Sequence, residues 1–169
     1  MDSTDISKAS IRPRPVSLGS VLIVDNEPSM LKVIQKILID EGYETYTALD
    51  AYSAFKILAR ESMDVVVTNI KMYPMDGLTM AHLVKLEFPG PEIVICSAYG
   101  SRDTLVRARD IGVHSYVLKP FKVNKLLRAI RMAAVWGPNN KDAYLAAILE
   151  GRDLEFLESR KGRLERDYE

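Results

Sequence analysis

Four short apolar runs in this sequence stop on polar side chains. "VLIV" is followed by Asp25-Asn26, "VVVT" by Asn69, "EIVIC" by Ser97, and "SYVL" by Lys119-Pro120. Brought together, these residues offer one carboxylate, one ammonium, one hydroxyl and two carboxamides. The stretch "VVVTNIKMYPMDG" (65–77) reads as a buried strand that delivers residue 69 into a turn, a place suited to carboxylate chemistry. Residue 69 is an amide. Its neutral oxygen is a poor nucleophile, so the chemistry turns on what the neighbours add.

The elements that must position these groups alternate in type. Five β-branched runs, "VLIVD" (21–25), "YETYTA" (43–48), "DVVVTN" (64–69), "EIVICS" (92–97) and "HSYVLK" (114–119), are separated by stretches with apolar residues at helical spacing. The helical faces are Leu31, Ile34, Ile37 and Leu38; Ala54, Phe55 and Leu58; Leu78, Ala81, Leu83 and Leu86; Val106, Ala108 and Ile111; and Leu126, Leu127, Ile130 and Ala134. Runs 21–24, 65–67 and 93–95 are continuously apolar, as in strands covered on both faces, whereas the second run alternates like an edge. Strand–helix alternation of this kind predicts an α/β, doubly wound, five-stranded parallel sheet. Functional groups in such a sheet collect at the carboxyl ends of the strands, beside a topological switch point. The strand ends above are therefore the candidate site.

Length and composition set limits. The chain of 169 residues fits one domain with a short appendage. Its 47% hydrophobic content suffices for a core, and 23 basic residues balance 23 acidic ones, so no general electrostatic grip on nucleic acid or an anionic membrane is expected. One cysteine, Cys96, excludes an internal disulfide framework and fits a reducing, cytoplasmic setting. No apolar run approaches the ~20 residues of a membrane helix. Residues 1–19, with Arg12 and Arg14 beside prolines, read as a flexible arm; 20–136 as the domain; 137–169 as a helical C-terminal extension. In that extension, "WGPNN" should stop the fifth helix. Beyond it Leu145, Ile148 and Leu149 form a short amphipathic face, followed by Leu154, Leu157, Leu164 and Tyr168 near a 3–4 spacing whose seam Lys161 breaks, too short a run to claim a coiled coil. His82 and His114 lack metal-site spacing, Cys96 sits inside a strand, and Met72, Met75 and Met80 read as packing.

The pattern resembles the receiver domain of two-component response regulators, a flavodoxin-like fold. "VLIVDNEPSM" is similar to that family's first strand and acidic pair, "NIKMYPMDG" to its phosphoacceptor loop, "SAYGS" to its hydroxyl strand end, and "YVLKPF" to its switch aromatic and lysine. The resemblance implies a phosphoacceptor aspartate at position 69, acids at 25 and 26 that help bind Mg²⁺, a hydroxyl at 97, a lysine at 119 and a switch aromatic at Tyr116. Asp25, Ser97, Lys119 and Tyr116 fit; Asn26 and Asn69 depart. The loop departs too, with Tyr73 at the usual proline position and Pro74 one residue later.

The two amides change the expected chemistry. An acyl phosphate cannot form on Asn69. The family pocket holds three carboxylates and one ammonium, but here Asp25 alone faces Lys119. Each charge lost at ~4 Å removes roughly 4 kcal/mol of attraction for a cation at an effective dielectric of ~20. Mg²⁺, a hard ion that favours carboxylates, would be held weakly if at all, by Asp25, Asn26, Asn69 and the Lys71 carbonyl. An Asp25–Lys119 ion pair is expected, with Asn26, Asn69 and Ser97 hydrogen-bonded around it. Three readings of Asn69 stand: a natural pseudo-receiver that uses no aspartyl phosphate, an introduced Asp-to-Asn replacement in a phosphorylatable receiver, or a pocket turned to a small ligand. The first predicts a non-catalytic signalling module acting by protein–protein contact, without a cofactor. Its partner would be a sensor kinase, another protein, or a second copy held through the fourth helix, fifth strand and fifth helix around Tyr116 or through the C-terminal helix.

Overall fold

The computed structural model describes residues 17–138. Residues 1–16 of the expected arm and 139–169 of the expected extension, including the face around Leu145, lie outside the described residues. Within them strand and helix alternate as β1 (Ser20–Val24), α1 (Pro28–Glu41), β2 (Glu44–Ala48), α2 (Ala51–Leu58), β3 (Val65–Thr68), α3 (Gly77–Glu87), β4 (Glu92–Ser97), α4 (Arg102–Ile111), β5 (Ser115–Leu118) and α5 (Val123–Ala134). All strand pairs are parallel, in the order β2-β1-β3-β4-β5. The chain leaves β1 toward β2 and leaves β3 toward β4, so the switch point lies between β1 and β3.

Alternate strand residues serve two cores. Leu22, Val24, Val66, Ile93 and Ile95 face α2, α3 and α4. Val21, Ile23, Val65, Val67 and Val94 face α1 and α5. This two-sided burial is why the three central strands read as unbroken apolar runs. β2 is an edge, exposed or half-buried over most of its length, in keeping with its alternation.

Two helical faces differ from the sequence expectation. Leu86, assigned to the inner face of α3, is 62% exposed, and Met80 and Val84 are buried in its place. Apolar residues surround α3 on nearly every side, so spacing alone could not select the inward stripe. In α4, Val106 is 37% exposed and Ala108 is the buried residue of the helix. Leu105 and Val106 stay outside, whereas Ile111 is half-buried against the α2–α3–α4 core. Among the described residues, no helix is long and apolar enough to cross a membrane.

Helix ends are fixed by local chemistry. Pro28 opens α1 and Gly42, in the left-handed conformation (φ 99°), closes it. Asp76 caps α3: its carboxylate accepts from Leu78 N–H at 2.9 Å, Thr79 N–H at 3.0 Å and the Thr79 hydroxyl at 2.7 Å. Burial pushes the Asp76 carboxyl up, but these hydrogen bonds, with Arg107 nearby, outweigh it and hold the group below its ordinary 3.8. A folded-state value below the unfolded one gives stability that is present above the unfolded value and lost as pH falls through the folded one. Asp76→Ala is therefore expected to cost about 1 kcal/mol at neutral pH. In urea unfolding the difference from the wild type should shrink as the medium is acidified; a cost independent of pH would show that the carboxylate is not what caps the helix.

Candidate functional site

The strand register brings the predicted site residues to one level. Val24 pairs with Ala48 and Thr68, and Thr68 with Ile95. The ladder continues one residue past the strands: Asp25 N–H donates to Ala48 O (3.1 Å), Asn69 N–H to Val24 O (2.9 Å) and Lys119 N–H to Ser97 O (2.9 Å). Main-chain bonds thus pin the residues whose side chains form the site.

Lys119 Nζ donates to Asp25 Oδ2 at 2.7 Å, with the two side chains 12% and 3% exposed. Asp25 Oδ1 accepts from Glu27 N–H at 2.9 Å, so both carboxylate oxygens are engaged. The ammonium is drawn from the cis-Pro strand end of β5 into the switch-point crevice, where its partner waits on β1.

Asn26 and Asn69 do not surround that pair as the sequence suggested; they bond to each other and to the loop. Asn69, 8% exposed, accepts from Ile70 N–H through Oδ1 (2.9 Å). Its Nδ2 donates to Asn26 Oδ1 (3.1 Å) and to Lys71 O (3.4 Å). The reason is geometric: the Ile70 N–H fixes which end of the amide is the acceptor, and the other end then meets two acceptor oxygens. Ser97 also turns away from the pair, its buried hydroxyl oxygen accepting from Tyr99 N–H at 3.2 Å. The main-chain N–H two residues further on takes the Ser97 oxygen.

The phosphoacceptor-like loop is closed by Gly77, whose N–H donates to Ile70 O at 2.7 Å. A Cβ at this glycine would lie 1.8 Å from Asn69 O and 2.8 Å from its carbonyl carbon. The start of α3 thus rests directly on the backbone of the site residue, a contact only glycine permits.

Lys71 and Tyr99 form a contact that the sequence did not disclose. Lys71 Nζ donates to Tyr99 Oη at 2.9 Å and stands 5.2 Å from its ring centroid. That hydrogen bond holds the ammonium above its usual value. The Tyr116 hydroxyl donates to Tyr99 O, and burial pushes its phenol up to about 12. Tyr116 is half-buried beside the α2–α3–α4 core. "SAYGS" held the signal for Tyr99, but only the β3–β4 and β4–β5 pairings show that Lys71 and Tyr116 converge on it.

Lys71 and Tyr99 rim an open pocket of about 640 Å³ lined also by Asn26, Glu27, Asn69 and Lys119. The donor set fits Mg²⁺ poorly. Asp25 is committed to Lys119, and the two amide groups are committed to each other and to the Ile70 N–H. Among the described residues no group of three His, Cys, Asp or Glu side chains converges. His82 is exposed, and His114 Nδ1 bonds Ser115 Oγ at 2.8 Å. Cys96 is 2% exposed, and burial pushes its thiol up to about 11, which keeps it protonated and unreactive.

A parallel sheet in this order, with polar strand ends at the β1/β3 crevice, defines a flavodoxin-like, CheY-like α/β domain. The model of the response regulator receiver domain family matches residues 21–131, and the chain belongs to that family. It is 34% identical over 110 residues to the transcriptional regulatory protein GlrR of Escherichia coli strain K12, covering 65% of this chain and 25% of that protein. It is 26% identical over 111 residues to sporulation initiation phosphotransferase F of Bacillus subtilis strain 168, covering 66% of this chain and 90% of that one. Among solved structures, a CheY-like receiver domain protein of Methanospirillum hungatei JF-1 superposes with a TM-score of 0.67 at 27% identity, covering 70% of this chain and 94% of that one. The chain spans about a quarter of the length of regulators such as GlrR.

Proposed function

We propose that this receiver domain is a signalling module that works through protein contact and carries no aspartyl phosphate at position 69. The observation that carries the reading is the bonding of Asn69. Its Nδ2 donates to Asn26 Oδ1 and Lys71 O, so a carboxylate in the same place would lose both bonds, would set oxygen against the Lys71 carbonyl and would require the Asn26 amide to turn over. The amide satisfies the buried position as it stands. Asp25, Asn26, Ser97 and Lys119 form the pocket in this reading, and Asp25–Lys119 serves to hold β1 to β5 rather than to assist phosphoryl transfer. The domain catalyses neither its own phosphorylation nor its dephosphorylation.

The output face is α4, β5 and α5 around Tyr116. It is supported by apolar side chains left outside the core there: Leu105 is 38%, Val106 37% and Leu118 44% exposed. A protein partner, a sensor kinase or a second copy would bind by covering them. A receiver disabled by one Asp-to-Asn replacement is the second reading, and it has to account separately for Asn26. The expected result is that a partner recovered with the immobilised chain is retained equally with and without acetyl phosphate and Mg²⁺, and is lost when Leu105 and Leu118 are changed to Asp. A partner retained only after phosphodonor treatment would overturn the reading. The pocket beside Lys71 and Tyr99 supports a third reading, a small-ligand site, which a thermal-shift screen would reveal as ligand-dependent stabilisation.

A further inference from the structure

Charge is divided unevenly over the fold, although the chain as a whole is neutral. Residues 102–138, which build α4, β5 and α5, hold eight Lys and Arg against two Asp. Residues 17–101 hold six Lys and Arg against eleven Asp and Glu, so the basic excess gathers around the β5 edge of the sheet. Some of these cations already have partners: Lys119 is paired with Asp25, Arg109 with Asp110 and Arg131 with Glu41. Arg102, Lys122, Lys125 and Arg128 are exposed and form no ion pair among the described residues. Lys122, Lys125 and Arg128 follow one another at three-residue spacing, as neighbours along a helix surface.

Two of these lysines stand where the fold itself disfavours them. Lys122 is the N-cap residue of α5 and makes no side-chain cap, and the first turn holds Lys125 and no acid. Cations there oppose the positive end of the helix dipole. The start of α4 shows the ordinary arrangement, with Ser101 accepting from Thr104 N–H and Asp103 in the first turn.

Apolar side chains lie among the charges. Leu118 leans on the turn before α4, where a Cβ on Gly100 would fall 2.5 Å from its Cδ2, and Leu105 and Val123 are exposed on the two flanking helices. A nucleic-acid backbone would neutralise the cations but leave these side chains in water; a protein surface can cover both. The same face of a second copy would match the leucines but oppose cation to cation, because a two-fold interface puts one patch on both sides. Of the two acids on this face, Asp110 is already taken by Arg109, which leaves Asp103.

We infer that the α4–β5–α5 face binds an acidic protein segment and rejects its own copy. Carboxylates of the partner meet Arg102, Lys122, Lys125 and Arg128, and its apolar side chains cover Leu105 and Leu118. The inference rests on the output face proposed above and adds the chemistry of what binds there.

The test uses synthetic helical peptides with leucines on one face, flanked by Glu, Gln or Lys, titrated into the isotope-labelled full chain and followed by NMR. The Glu peptide should bind at least about tenfold more tightly than the Gln peptide, with shifts confined to residues 102–128. The two affinities should converge at about 0.5 M salt. Lys122→Glu/Lys125→Glu/Arg128→Glu should invert the order and take the Lys peptide; the dipole of α5 favours the first two changes, so the helix is not put at risk. Failure of the Glu peptide to bind, or equal binding of all peptides on this face, would overturn the acidic partner while leaving the output face in place. Shifts centred outside 102–128 would overturn the output face as well. Tighter binding of a duplex DNA of arbitrary sequence would place nucleic acid there instead, and concentration-dependent shifts at Leu105 and Leu118 in the free wild type would place a second copy there; either result overturns the inference.

Discussion

Asp25→Ala is expected to destabilise the domain by about 3–5 kcal/mol, the usual cost of stranding one member of a buried ion pair. The Lys119 ammonium, 12% exposed, would lose the carboxylate 2.7 Å away, and the Glu27 N–H would lose its acceptor as well. The sign distinguishes this pocket from one crowded with acids. Where several carboxylates face one lysine, deleting one relieves repulsion and leaves the lysine a partner. Here the two neighbouring positions are amides whose oxygens are already bonded, so nothing replaces Asp25. Urea unfolding should show a lower midpoint with an unchanged slope. The double variant Asp25→Asn/Lys119→Met should be less destabilised than the sum of the single changes, because neither charge is then left alone. An unchanged midpoint in Asp25→Ala would mean that the pair does not hold β1 to β5.

Gly77→Ala is expected to cost as much or more than a typical overpacked core, at or above the upper end of about 1–3 kcal/mol. The added methyl would stand 1.8 Å from Asn69 O, and the obstacle is backbone, which cannot rotate out of the way as a side chain can. The start of α3 would have to lift from the loop, breaking the Gly77 N–H bond to Ile70 O and, with it, the frame that aims the Ile70 N–H at Asn69 Oδ1. The amide resonances of Asn26 and Asn69 should shift together in the NMR spectrum of this variant. A stable variant with unshifted Asn26 and Asn69 side-chain signals would contradict the close approach.

Much of this was legible in the residues because the strands are buried on both faces. β1, β3 and β4 read as unbroken apolar runs, their polar ends mark the crevice, and Asp25 and Lys119 were the two opposite charges among those ends. What was not legible depends on directions that spacing does not encode. Asn69 and Asn26 bond each other because one main-chain N–H orients the amide, a detail set by the turn. Ser97 faces Tyr99 N–H rather than Lys119 for the same kind of reason. The Lys71–Tyr99 contact joins two loops that only the β3–β4 pairing brings together. On α3, an excess of apolar residues hid which stripe faces inward, and Leu86 rather than Val84 was placed in the core. The close approach of Gly77 to Asn69 O left no mark beyond the glycine itself.

The central claim is that position 69 bears no phosphoryl group: an amide cannot form an acyl phosphate, and the bonds around Asn69 suit an amide. The most direct measurement is the intact mass of the chain after incubation with acetyl phosphate and Mg²⁺, set beside Asn69→Asp and Asn26→Asp/Asn69→Asp treated in the same way. The wild type is expected to keep its mass. The double variant, with two carboxylates restored for the metal, should gain a labile phosphoryl group more readily than Asn69→Asp alone. A labile gain of one phosphoryl group on the wild-type chain would contradict the account.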